Sequence, residues 1–150
     1  MFTKILCATD LSVASSEAVK KAVQIAHQYN SQIFMLNVHE EFMNKDEMGM
    51  LRVSIEIIKS KFEKTALQAK NEMKEKIESL HAESIHVEYI LKDGKAKKVI
   101  CEEAERAEAD LIIMGVSEKN IIPTFISNNT TTYVIEHSNI PVLIVPMEKK

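Results

Sequence analysis

Short apolar segments alternate along this chain with segments of helical periodicity, and this alternation most constrains the fold. Five strands are predicted, at KILCAT (4–9), QIFMLNV (32–38), SIHVEYIL (84–91), DLIIMG (110–115) and PVLIVP (141–146). The segment DLIIMG is apolar almost throughout, which is typical of a central parallel strand that is covered on both faces. Strands that alternate with helices favour a parallel sheet with helices on both of its faces.

The segments between the strands predict four helices. The first begins at Ala14, after Ser12 as a candidate cap, because alanine and valine recur there at steps of three and four residues. The second is the longest, since one apolar stripe runs from residue 51 to residue 80, about 30 residues. The third and fourth are predicted at Ala96–Ala107 and Asn129–His137.

The overall composition excludes several classes of protein. The chain has 150 residues, 45% of them hydrophobic and 27% charged, which predicts one globular domain over residues 1–150. A net charge of -3 argues against a nucleic-acid partner, and no apolar run is long enough to span a membrane. The two cysteines, Cys7 and Cys101, fall in a strand and a helix and indicate neither a disulfide scaffold nor a zinc site. We therefore expect a cytoplasmic protein.

A binding site is expected where the strand order of such a sheet reverses, outside the carboxyl ends of the strands. The turn ATDLS follows the first strand and MGVSE follows the fourth, and these two strands are the expected neighbours of the reversal. Asp10 and Gly115 are therefore the first candidates for a site.

Three long segments carry a resemblance to a known family. KILCATDLSVASSEAVKKAVQIA, KDGKAKKVICEEAERAEADLIIMG and HSNIPVLIVP together resemble the universal stress protein family, and the likeness extends over almost the whole chain. The resemblance implies an α/β fold, Rossmann-like or adenine nucleotide alpha hydrolase-like, with an open five-stranded parallel sheet in the order 3-2-1-4-5. Residues 42–60 are the least typical part.

Many members of that family bind ATP through a glycine motif, Gly-two-Gly-nine-Gly-Ser/Thr. Aligned on this chain, its positions fall on Gly115, Glu118, Asn128 and Asn129, and Thr130 follows directly. The glycines let backbone amides approach phosphate oxygens without a Cβ in the way. Asn128 tolerates a left-handed backbone, and Asn129 and Thr130 keep polar groups at an expected helix start. A carboxylate at Glu118 would cost about 1 to 4 kcal/mol against each nearby phosphate charge. The motif is therefore degraded for ATP.

The resemblance also implies a wall for the pocket. Ala8, Thr9 and Val38 occupy the positions of its adenine side, and Asp10 lies near the nucleotide in the members that bind ATP. With Gly115, Asn128, Asn129 and Thr130 they make up the candidate nucleotide pocket, for which ATP and AMP are the candidate ligands. Two alternatives remain. In the first, Asp10 only caps the first helix or fixes the turn. In the second, the pocket binds a nucleoside, a monophosphate or an unrelated small anion.

Catalytic classes find little support in the sequence. A two-component receiver domain needs an acid pair after the first strand, whereas only Asp10 stands there, with Asp93 as a conceivable acceptor. A hydrolase or transferase needs a nucleophile with a base, or a metal site, and the histidines are scattered. His39, at the edge of the expected pocket, is the one histidine worth testing. We expect no catalytic residues, no metal ligands and no enzymatic activity.

An interaction role follows from the last strand. The segment Pro141–Pro146 would lie at a sheet edge, where unpaired backbone groups and apolar side chains invite a second copy. The predicted function is therefore a non-enzymatic stress-response or regulatory module that acts as a homodimer, with a degraded ATP motif. The alternative is a regulatory protein that binds ATP or AMP in a modified pocket.

Overall fold

Strands and helices alternate in the predicted order. The computed structural model of the chain describes residues 1–39, 55–116 and 125–146, except for the side chains of 13–14, 55–58, 116 and 125–129. The strands are β1 (Lys4–Ala8), β2 (Gln32–His39), β3 (Val87–Asp93), β4 (Leu111–Val116) and β5 (Val142–Pro146). The helices are α1 (Val13–Tyr29), α2 (Ile55–Ser79), α3 (Ala96–Arg106) and α4 (Phe125–His137).

All five strands are parallel neighbours in one sheet. Their order is β3-β2-β1-β4-β5, which confirms the predicted fold class. Strand β1 pairs on one side with β2 and on the other with β4, so the reversal of strand order lies at β1. At the carboxyl end of the sheet Ala8 lies opposite both Leu36 and Met114.

The hydrophobic core forms two layers, one on each face of the sheet. Ile5 and Cys7 point to the layer filled by α1 and α2, and Leu6 points to the layer filled by α3 and α4. These three side chains are 0% exposed, as alternation along a strand covered on both faces requires. Complete burial of an isoleucine or leucine side chain contributes about 1.5–3 kcal/mol to stability.

Two predicted starts were wrong by three or more residues. Strand β3 covers Val87–Asp93 rather than residues 84–91, because the chain first turns out of α2 through a hydrogen bond from the Ile85 amide to the Ala82 carbonyl. Helix α4 begins at Phe125 rather than Asn129, since no glycine or proline interrupts residues 125–128. The predicted start of the second helix, near residue 51, lies outside the described residues.

Gly94 turns the chain between β3 and α3. Its φ is +133°, and a Cβ built there would lie 3.0 Å from Val99 Cγ2. Replacement by alanine would strain the backbone and crowd the first turn of α3, which borders the cleft described below. Gly94→Ala is therefore expected to lower the free energy of unfolding by about 1–3 kcal/mol in urea denaturation.

Asn30, which ends α1 with a φ of 55°, supplies the control for that measurement. Glycine adopts this conformation readily, so Asn30→Gly is expected to change stability by only about a few tenths of a kcal/mol. Equal stability of Gly94→Ala and the unaltered chain would contradict the strain argument.

Candidate functional site

A cleft opens at the carboxyl end of the sheet, on the face covered by α3 and α4. Its floor consists of the adjacent side chains of Ala8, Leu36 and Met114 on the three central strands. Its volume is about 160 Å³, smaller than the roughly 300–1,000 Å³ of a pocket that holds a whole drug-sized ligand. The remaining lining residues are Thr9, Asp10, Ser15, Val38, Ala96, Ile100, Gly115, Thr130 and Thr131.

The turn after β1 is held by its own side chains. The amide of Leu11 donates to Thr9 Oγ1 at 3.0 Å, and the amide of Ser12 donates to Asp10 Oδ1 at 2.9 Å. The Thr9 amide continues the sheet pairing beyond β1 by donating to the Leu36 carbonyl at 2.9 Å. These bonds keep Leu11 at a φ of 66°, a conformation that few residues other than glycine adopt.

Ser12 caps α1, as predicted. Its Oγ accepts from the Ser15 amide at 3.2 Å and satisfies one free donor of the first turn. Ser15 was not predicted as a site residue, yet it is 5% exposed and its Oγ lies 2.9 Å from Thr9 Oγ1. The spacing of Ser12 and Ser15, one helical turn apart beside the predicted site, was the signal in the sequence.

The Asp10 carboxyl group is held in its ionised form. Asp10 is exposed at the surface, so the desolvation that acts to raise its pKa is only partial. Hydrogen bonds from Ser12, Ser15 and its own amide outweigh it, and the pKa lies below the ordinary 3.8. Asp10 is thus a fixed negative charge at the cleft. It fixes the turn, as one of the predicted alternatives states, and it also faces the cleft.

The structure brings together six of the eight predicted site residues, because Ala8, Thr9, Asp10, Val38, Gly115 and Thr130 all line the cleft. The other two, Asn128 and Asn129, lie on α4, and their side chains are outside the described part of the structure. The predicted helix start at Asn129 was wrong, and with it the position of the backbone amides in the first turn that have no partner within the helix. Those amides belong to residues 125–128, so Asn128 has a helical and not a left-handed backbone.

His39 does not belong to this cleft. His39 is the last residue of β2 and directly follows Val38, which lines the cleft. Successive side chains of a strand point to opposite faces of the sheet, so His39 lies on the face away from the cleft. Its ring approaches that of Phe62 on α2, with centroids 6.4 Å apart. The expected place of His39 at the pocket edge was therefore wrong.

The described ranges contain no group of three or more His, Cys, Asp or Glu side chains arranged to hold a metal ion. Burial raises the pKa of the Cys7 thiol to about 12, so this thiol is protonated at neutral pH. None of the helices in these ranges combines the length and the apolarity needed to cross a membrane.

The lowered pKa of Asp10 predicts how its contribution depends on pH. A carboxyl group with a lower pKa in the folded state stabilises that state above its unfolded pKa, and the benefit disappears as pH falls through the folded pKa. Asp10→Asn is therefore expected to be less stable than the unaltered chain at pH 7, with the difference shrinking below about pH 4. Urea denaturation of both proteins between pH 3 and pH 7 measures this difference. A difference that stays constant over that range would contradict the assignment.

Comparison with known proteins identifies the family. The model of the universal stress protein family matches residues 1–146 of this chain. The universal stress protein MJ0531 of Methanocaldococcus jannaschii is 27% identical over 152 aligned positions, which cover 100% of this chain and 85% of that protein.

Solved structures agree with this match. The hypothetical protein MJ0577 is 25% identical, with a TM-score of 0.76 over 100% of this chain and 99% of that chain. A universal stress protein family protein from Arabidopsis thaliana, solved with AMP bound, has 18% identity and a TM-score of 0.64 over 97% and 92% of the two chains. Since the family model spans nearly the entire sequence and the sheet order is the one that the resemblance implied, this chain belongs to the universal stress protein family.

Proposed function

We propose that this chain is a single-domain, non-enzymatic regulatory protein that binds an adenine nucleoside monophosphate in the cleft and acts as a homodimer. The observation that carries the proposal is the convergence of an apolar floor, the Asp10 carboxylate and the backbone at Gly115 on one small cleft. A few polar groups around an apolar surface are the usual composition of a ligand site.

The cleft suits the base and sugar of such a ligand. Ala8, Met114 and Val38 give the cleft apolar side chains for a purine ring, and the fully buried Leu36 packs beside them. The ionised Asp10 carboxylate accepts hydrogen bonds and fits the hydroxyl groups of a ribose. A volume of about 160 Å³ encloses only part of a nucleotide and leaves its phosphate at the opening.

The preference for a monophosphate over ATP rests on the degraded motif. Glu118, Asn128 and Asn129 stand where the family motif has two glycines and a hydroxyl residue. Each added phosphate increases the repulsion from the Asp10 carboxylate, and the family motif aligns the acid Glu118 with a glycine of the phosphate loop. The Arabidopsis relative was solved with AMP bound, which supports a ligand of this size in the family.

A regulatory role without catalysis is supported by how the polar groups of the cleft are engaged. The hydroxyl groups of Thr9 and Ser15 bond to each other, and Asp10 is held by Ser12. Among the described residues that line the cleft there is no histidine, cysteine or lysine to act as a base or nucleophile. Cys7 and Cys101 are both free thiols, which fits the cytoplasm that we propose as the location.

The dimer is proposed through β5. Among the described residues this strand is an edge of the sheet, and its one partner strand there is β4. Its apolar residues Val142, Leu143 and Ile144 remain partly exposed in one copy of the chain. Pairing with the same strand of a second copy would cover these side chains and the free backbone groups of Pro141–Pro146.

Isothermal titration with AMP and ATP, with and without magnesium, tests the ligand. AMP is expected to bind at least about tenfold more tightly than ATP, the factor that corresponds to about 1.4 kcal/mol of added repulsion. Asp10→Ala is expected to weaken AMP binding, since the ligand loses an acceptor. ATP binding at micromolar affinity, equal to or tighter than that of AMP, would overturn the preference.

A restored motif provides a gain-of-function control for the titration. The triple variant Glu118→Gly, Asn128→Gly, Asn129→Ser recreates the family pattern and is expected to narrow or reverse the preference for AMP over ATP. Glu102→Gln removes one acid from the exposed surface of α3 and is the matched control for the change in net charge. An unchanged ratio of AMP to ATP affinity in the triple variant would show that the motif does not set the preference.

The oligomeric state is tested on β5. Leu143→Glu places a charge in the proposed interface and is expected to convert dimers to monomers in sedimentation velocity. Ile135→Glu adds the same charge at a side chain that is 54% exposed on α4, away from the strand, and is expected to leave the dimer intact. A sedimentation coefficient unchanged by Leu143→Glu would remove the support for this interface.

A further inference from the structure

A monophosphate in this cleft lacks a positive partner among the residues that line it. The described lining contains one charged side chain, Asp10, and its carboxylate is ionised. An anionic ligand beside this carboxylate is disfavoured unless a cation lies within a few ångströms. The proposed function therefore requires a basic side chain at the rim of the cleft, and the inference below rests on that function.

Lys97 lies beside the cleft, next to lining residues although it is not one of them. It lies in the first turn of α3, between Ala96 and Ile100, both of which line the cleft. Residues three apart share one face of a helix, so Lys97 lies on the same face as Ile100, one turn closer to the helix start. Because α3 follows a parallel strand, its start lies at the carboxyl end of the sheet, where the cleft opens.

The Lys97 side chain is directed toward α4, the helix that borders the other side of the cleft. Its Nζ lies 5.3 Å from the centroid of the Tyr133 ring. Tyr133 is three residues from Thr130 and shares its helical face, and Thr130 lines the cleft. The Tyr133 ring is stacked on the His137 ring, with centroids 3.9 Å apart and planes inclined by 14°. The ammonium group is thus held between the two helices that flank the cleft.

The neighbouring lysines are placed differently. Lys92 pairs with the buried carboxylate of Glu103 at 3.7 Å, and Lys95 and Lys98 are exposed. Within the described residues Lys97 forms no ion pair with a carboxylate. Its ammonium group has instead the weaker attraction to the face of the Tyr133 ring. Moving it from the Tyr133 ring to a phosphate would exchange that contact for a stronger one between opposite charges.

We infer that Lys97 is the residue that selects a phosphate-bearing ligand: its ammonium group, which rests on the Tyr133 ring beside the cleft, moves from that ring to bind the phosphate of an adenine nucleoside monophosphate. It supplies the positive charge that the described lining of the cleft lacks. The base and ribose contact the floor and Asp10, and Lys97 does not touch them. Lys97 thereby separates AMP from adenosine.

The test compares AMP with uncharged adenosine by isothermal titration at low salt. Lys97→Gln is expected to weaken AMP binding about three- to tenfold, the size of one screened charge pair, and to leave adenosine affinity unchanged. AMP binding by the unaltered chain is expected to weaken as salt rises, whereas binding by Lys97→Gln depends less on salt. Lys97→Arg retains the charge and is expected to keep the preference for AMP.

Lys98→Gln is the matched control, because it removes the same charge from the next, exposed residue of α3. It is expected to leave the ratio of AMP to adenosine affinity unchanged. If Lys97→Gln weakens the affinities for AMP and adenosine equally, or weakens neither, their ratio is unchanged and the role of Lys97 is overturned. The proposed function would stay intact in both cases. If the unaltered chain binds neither AMP nor adenosine, the proposed function fails and this inference fails with it.

Discussion

The pairing of β1 on both of its edges is the constraint on which the rest of the structure depends. Its backbone is hydrogen-bonded to β2 and β4, and both faces of the strand are sealed, with Ile5 and Leu6 0% exposed. A strand held in this way cannot shift its register without moving core side chains to the wrong face. The turn that follows it therefore leaves the sheet at one defined point, beside the end of β4.

The chemistry of the cleft follows from that point. The turn is short and closed by its own hydrogen bonds, so Asp10 is fixed as an anion at one wall. The floor is apolar because the sheet ends there in Ala8, Leu36 and Met114. A lysine in the first turn of α3, Lys97, lies outside the lining with its ammonium group on the Tyr133 ring. In the function that we propose, the cleft separates its ligands by the charge of Lys97 and by the shape of the floor.

The elements with a strong local signal were predictable. A strand sealed on both faces is nearly continuously apolar, and the helices show their core-facing residues at three- and four-residue steps, so both patterns survive in a single sequence. The start of α4 and the shift of β3 were missed because each depends on where the preceding element ends. The position of His39 was missed for another reason. It is the chain neighbour of Val38, but their side chains point to opposite faces of the sheet.

The sequence by itself determined the alternation of strands and helices and the cap of α1 at Ser12, because each of these is encoded by neighbouring residues. Its resemblance to the family further showed which phosphate glycines are replaced. The tertiary structure decided which distant side chains meet. Lys97 meets Tyr133 only because α3 and α4 pack on the same face of the sheet. Such contacts depend on strand order and helix packing, which no local pattern of residues records.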